Sequence, residues 1–157
     1  FVWILNNDTL CPPDALAEVI ESKLIPAQVL AGSLRPETLR GLVFFSSAAA
    51  RFGNAFQADY AAANECLNKL AEALAGRWPH VTVKAINWGP LAGGMVHAPL
   101  QALMRARGIE PLPLAAAAQA LLRELRDRSG PVEVVIGATL DKLSQITGVP
   151  QDRAMME

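Results

Sequence analysis

Val43-Phe44-Phe45-Ser46-Ser47, followed after Phe56-Gln57-Ala58-Asp59 by Tyr60-Ala61-Ala62-Ala63-Asn64, decides how this chain folds. The first run is apolar, β-branched and aromatic, and it predicts a buried strand ending on two serines. The second predicts a helix over about Phe56 to Ala75, with Leu67, Leu70 and Leu74 on its apolar stripe. Tyr60 and Asn64 are four apart and share one helical face. A strand end and a helix therefore offer a hydroxyl, a phenol and an amide to one place.

Outward from this unit the chain alternates. Phe1 to Leu5 is apolar and reads as the tail of a strand or an apolar loop; Asn6 to Thr9 is turn chemistry. Cys11-Pro12-Pro13-Asp14 leads into a helix with Ala15, Leu16, Val19, Ile20 and Lys23 at helical spacing. Pro26 should kink or interrupt that helix, and Gly32-Ser33 ends it. Downstream, Val81 to Trp88 predicts a strand closed by Gly89-Pro90, Leu91 to Val96 a glycine-containing loop, and Ala98 to Arg107 a short helix. Pro113 to Arg126 predicts an amphipathic helix, Val132 to Ile136 a strand, and Thr139 to about Ile146 a last helical turn. Such alternation means an α/β fold, a parallel sheet covered by helices. The expected core includes Val43, Phe45, Leu67, Leu70, Ile86, Leu121, Leu122 and Val134.

Composition bounds the function. With 157 residues, 52% hydrophobic, and a net charge of −1, this is a soluble globular composition of one domain, about 1–147 folded and 148–157 a polar tail. No basic excess suggests nucleic acid, and no apolar run spans a bilayer. Cys11 and Cys66 make no disulfide framework or zinc site and read as reduced thiols of a cytoplasmic protein. His80 and His97 are too scattered for a metal cluster. The chain opens on Phe1 as if in mid-fold, which suggests a piece of a longer protein.

In an open parallel sheet, ligands bind beyond the carboxyl ends of the strands. Ser47 and Asn87-Trp88-Gly89-Pro90 both follow strands at that edge. A hydride delivered to a ketone carbon leaves charge on the oxygen, which needs a proton donor and a hydrogen-bond donor. A tyrosine suits the first role if a cation pulls its pKa down from about 10. A serine suits the second. Lys23 is the only lysine before Tyr60; Lys69 is out of phase with it and Lys84 lies inside a strand.

Here the residues resemble a family. Phe45-Ser46-Ser47, thirteen residues from Ser47 to Tyr60, then Tyr60 to Asn64, resemble the ketoreductase domain of type I polyketide and polyunsaturated fatty acid synthases, within the short-chain dehydrogenase/reductase superfamily. Members of that superfamily typically carry lysine four residues after the tyrosine. The synthase ketoreductases carry asparagine there and take the lysine from an earlier helix. Asn64 and Lys23, twenty-four residues before Ser47, match that exchange. Ser47 through Val96, with Arg51-Phe52-Gly53-Asn54 included, most resembles the polyunsaturated fatty acid and related iterative synthases.

The resemblance implies a Rossmann-like sheet of which this chain is the second half, because no Gly-x-Gly-x-x-Gly stands in it. It implies NADPH-dependent reduction of a β-ketoacyl thioester on an acyl carrier protein, within a synthase whose neighbouring domains are its partners. Lys23, Ser47, Tyr60 and Asn64 would be catalytic. Lys23, Tyr60, Asn87, Trp88, Gly89 and Pro90 would face the cofactor. Gly93, Gly94, Met95 and Val96 would form the substrate lid. The alternative is a truncated, non-catalytic remnant that only packs against its neighbours, in which Asn87 to Pro90 is a plain strand-ending turn. Leu5-Asn6-Asn7 falls near a stereochemical Leu-Asp-Asp loop but lacks its aspartates, so product configuration stays open. Arg105 and Arg107 read as a solvated helix face or as contacts to a carrier's phosphopantetheine arm.

Overall fold

The apolar runs become strands because they are short and β-branched or aromatic, and the helices between them carry the chain back across the sheet. The computed structural model describes residues 3–4, 17, 20–54, 57–93, 98–106 and 108–137. In chain order these form β1 (Trp3–Ile4), a π-helical turn (Ile20–Leu24), α1 (Ile25–Ser33), a 3-10 turn (Pro36–Thr38), β2 (Gly41–Ser47), α2 (Ala48–Phe52) and α3 (Ala58–Arg77). Then follow β3 (Thr82–Trp88), β4 (Leu91–Ala92), α4 (Ala98–Ala106), β5 (Leu112–Pro113), α5 (Leu114–Arg126) and β6 (Glu133–Ile136). One sheet has the order β1-β2-β3-β6 with every pairing parallel, as the alternation requires. In its register Trp3 lies beside Val43, Ser46 beside Asn87, Ser47 beside Trp88 and Ile86 beside Val134.

The pleat sorts side chains to two faces. Leu42, Phe44, Val83 and Ala85 bury one face under Ala27 and Ala31 of α1 and Leu67, Ala71 and Leu74 of α3. Val43, Ile86 and Trp88 bury the other under Ala117 and Leu121 of α5, with Phe45 and Val134 packed at the margin. The Phe45 and Trp88 rings meet at 5.5 Å.

Two expectations need correction. Leu122 is exposed, not core. It lies about 100° around the helix from Leu121, beside a buried stripe of Ala117, Ala120 and Leu121. Leu91-Ala92 is not loop throughout, since it pairs in parallel with Leu112-Pro113 as a second, two-stranded sheet. A two-residue strand has no periodicity to read. Pro26 does interrupt the helix, as a change of helix type. A proline lacks the N–H and crowds the carbonyl four residues back, so the turn before α1 opens to π geometry and Pro26 stands in the first turn of α1. Cys11, the Leu5-Asn6-Asn7 loop, Gly94, Met95, Val96, His97, Arg107, the turn from Thr139 and the polar tail lie outside the described residues.

Among the described residues no helix is long and apolar enough to cross a membrane, and no cluster of metal-ligating side chains occurs.

Candidate active site

The π-helical turn aims Lys23 inward. The residue is only 1% exposed, its Nζ donates to Asn64 Oδ1 at 3.0 Å, and the ammonium lies 4.3 Å from the centre of the Tyr60 ring. Asn64 in turn donates from Nδ2 to the Tyr60 carbonyl at 2.7 Å. Helical spacing stacks Tyr60, Asn64 and Asn68 on one side of α3, and the long loop of chain between Lys23 and Asn64 closes on them. A buried ammonium is costly unless paired, so this contact shows where the fold invests a charge. Lys23, Tyr60 and Asn64 are thus brought together.

The serines divide. Alternation along β2 puts Ser46 on the α3 side with Leu42 and Phe44, and Ser47 on the other side with Val43 and Phe45. Ser46, 2% exposed, places its Oγ 3.1 Å from the Asn64 carbonyl and 2.9 Å from Asn87 Oδ1. Ser47 is the last residue of β2, at the carboxyl edge. Its Oγ accepts from the Ala49 N–H at 3.2 Å and caps α2. That contact uses a lone pair and leaves the hydroxyl hydrogen available as a donor. Ser47 therefore stands one pleat position apart from the Lys23–Asn64–Tyr60 set.

At the end of β3, Asn87 is fully buried. Its Oδ1 accepts from Asn68 Nδ2 at 3.1 Å, and its Nδ2 donates to Glu133 Oε1 at 2.9 Å. The expectation put Asn87 beside a cofactor; the structure places its amide beneath the site, inside the sheet–helix interface. Trp88, Gly89 and Pro90 continue to the open edge, where the Gly89 N–H donates to the Ile136 carbonyl at 2.8 Å. Gly93, at φ 158°, lies against Leu114, whose Cδ1 would be 2.8 Å from an added Cβ.

Ser46, Asn68 and Glu133 escaped the sequence reading as site residues, although Asn68 carries a signal at Tyr60 plus eight. Burial pushes the Glu133 carboxyl above the ordinary glutamate range, and Arg51, 3.7 Å away, opposes that shift. Lys84 is also buried, donating to the Pro131 carbonyl at 2.9 Å on the α5 side. Lys69 is exposed and pairs with Glu65 and Glu72, as its phase on the helix requires. Arg105 pairs at the surface with Glu110.

Comparison with known proteins gives a consistent picture. Residues 9–93 match the KR domain family. The chain is 34% identical over 125 residues to a polyunsaturated fatty acid synthase of a Thraustochytrium species, covering 80% of this chain and 4% of that protein. It is 36% identical over 132 residues to the polyketide synthase GfsA of Streptomyces halstedii, covering 83% of this chain and 2% of that one. Among solved structures, a ketoreductase from the first module of phoslactomycin biosynthesis in a Streptomyces species superposes with a TM-score of 0.67 at 33% identity, over 81% of this chain and 29% of that chain. The first ketoreductase of the tylosin synthase superposes with a TM-score of 0.70 at 27% identity, over 94% of this chain and 34% of that one. The chain thus spans about a third or less of each.

Proposed function

The chain belongs to the KR domain family of polyketide and polyunsaturated fatty acid synthases, and from that premise we propose that it is the catalytic, second half of a Rossmann-like ketoreductase. The reaction is NADPH-dependent reduction of a β-ketoacyl thioester, carried on an acyl carrier protein, to the β-hydroxyacyl form. The observation that carries this reading is the buried Lys23 ammonium, bonded to Asn64 and set over the Tyr60 ring.

A phenol donates a proton more readily when a cation stabilises its anion. Lys23 supplies that cation in a dry setting, where a charge acts with little screening. Tyr60 gives its hydroxyl proton to the substrate oxygen, and Lys23 holds the phenolate until the proton returns through solvent. Asn64 keeps Lys23 in place and supports the relay. Ser47 donates its hydroxyl hydrogen to the substrate oxygen from the carboxyl edge of β2. NADPH, when bound, supplies the hydride that goes to the β-carbon.

The donor set fits that cofactor in part. Tyr60 and the Trp88-Gly89-Pro90 turn stand at the strand ends where a nicotinamide would lie. Lys23, so deeply buried, serves ribose hydroxyls less than it serves Tyr60. The 157 residues contain no Gly-x-Gly-x-x-Gly for the pyrophosphate, so this chain by itself holds only the nicotinamide side. Gly93 to Val96 would form the substrate lid, and carrier protein and neighbouring synthase domains are its partners.

The test is Tyr60→Phe in the synthase that carries this chain. NADPH oxidation with a β-ketoacyl thioester should fall by a factor of about a hundred or more, the scale of a positioned acid. Near-normal turnover refutes the assignment. Ser47→Ala should lower kcat more than it raises KM, and an equal effect on KM alone would take Ser47 out of the chemistry.

A further inference from the structure

A layer of buried polar groups lies directly beneath Asn64 and belongs to none of the roles above. Ser46, Asn64, Asn68 and Asn87 are each 2% exposed or less, and Glu133 closes the layer with a side chain 13% exposed. The orientation of the Asn87 amide is dictated by its neighbours. Its Nδ2 faces the Glu133 carboxylate, where an oxygen would be repelled, so Oδ1 must face Ser46 and Asn68. Ser46 has one hydrogen and two acceptors, Asn87 Oδ1 and the Asn64 carbonyl. The chain of contacts runs from β6 through β3 and β2 to the α3 backbone at Asn64.

That helix needs a pin. Ala63 and Ala71, both fully buried, give α3 a smooth contact face at these positions. Small apolar contacts bury area but fix register along the axis weakly, whereas hydrogen bonds are directional. Placement of Lys23 over Tyr60 depends on that register, because Lys23 is bonded to Asn64.

We infer that Asn87 is a positioning residue: clamped by Glu133 and Asn68, it seats Ser46 against the Asn64 carbonyl and so holds Asn64 and Lys23 in register with Tyr60. Its consequence for turnover rests on the reductase reading; the geometric claim does not. An apolar residue at this position would strip Glu133 of the Asn87 amide and leave Ser46 only the Asn64 carbonyl to donate to, with Asn68 still donating to Glu65 and Glu133 and Arg51 still facing Glu133.

Tyr60 is the only tyrosine in the chain, so tyrosinate absorbance during a pH titration reports it alone. Lys23→Met calibrates the experiment by removing the cation. Asn87→Ala should move the Tyr60 midpoint upward by most of the displacement that Lys23→Met produces. Glu133→Leu should do the same, while Glu133→Gln, which still accepts from Asn87, should restore the wild-type midpoint. Urea melts of each variant confirm that the titrated chain is folded. If Asn87→Ala does not fold, the Glu133→Leu and Glu133→Gln pair carries the test. A Tyr60 midpoint unmoved in folded Asn87→Ala or Glu133→Leu, with Lys23→Met displaced, overturns the inference. If Lys23→Met also leaves the midpoint unmoved, the inference falls together with Lys23's role in the reductase reading. A displaced midpoint alongside an active Tyr60→Phe synthase would sink only the reductase reading.

Discussion

Replacing Asn64 with alanine, alone and together with Lys23→Met, measures the central contact of the site. Asn64 Oδ1 accepts from the Lys23 ammonium at 3.0 Å, with both residues 1% exposed or less. A hydrogen bond to a buried charge contributes about 1.5–3 kcal/mol. The second bond, Asn64 Nδ2 to the Tyr60 carbonyl, adds about 0.5 kcal/mol, since that carbonyl also serves the helix ladder. Alanine returns about 0.5 kcal/mol through its better helix propensity. Asn64→Ala should therefore destabilise the chain by about 1.5–3 kcal/mol, which for a domain of this size lowers Tm by about 3–12 °C. Urea unfolding followed by circular dichroism is the assay. In the Lys23→Met background the ammonium is gone, so the same substitution should cost about 1 kcal/mol or less. A coupling energy below about 0.5 kcal/mol would refute the claim that Lys23 and Asn64 stabilise each other, and with it the reason Lys23 stays over Tyr60.

Other outcomes follow from the same geometry. Burial raises the Glu133 pKa above its ordinary value of 4.5, so the folded chain binds that proton more readily than the unfolded one. Stability attributable to Glu133 is present below 4.5 and is lost as pH rises through the higher folded value; Glu133→Gln should flatten that slope in urea melts across the acid range. Leu121→Ala should destabilise by about 2–4 kcal/mol through the cavity it leaves, whereas Leu122→Lys should change stability by about 0.5 kcal/mol or less, and equal effects would contradict the orientation of α5. The 157-residue chain alone should bind NADPH only weakly and show no reductase turnover, because few contacts must offset the immobilisation of a large charged ligand. Titration calorimetry reads this directly, and micromolar or tighter binding would reveal a nucleotide site elsewhere in the chain.

What the sequence determined by itself was whatever depends on local period and spacing. The Val43–Ser47 run, the Val81–Trp88 run and the helical stripe after Tyr60 specify strands and a helix from neighbouring residues alone, and their alternation implies the parallel sheet. Tyr60 and Asn64 are one turn apart in any helix, so their pairing needed no fold. Lys23 was reachable only through the spacing of a known family, because nothing local ties residue 23 to residue 64. Tertiary structure decided the rest. It chose which serine meets α3, since a period of two turns Ser46 and Ser47 to opposite faces and only the packed helix says which face matters. It buried Asn87 against Glu133, 46 residues away, a partnership set by strand order in the sheet. It exposed Leu122 and paired Leu91-Ala92 with Leu112-Pro113, because burial on a broad apolar helix and pairing of two-residue strands depend on what lies opposite. Local sequence thus sets which groups are one turn or one pleat apart, and the fold sets which of them share a dry space.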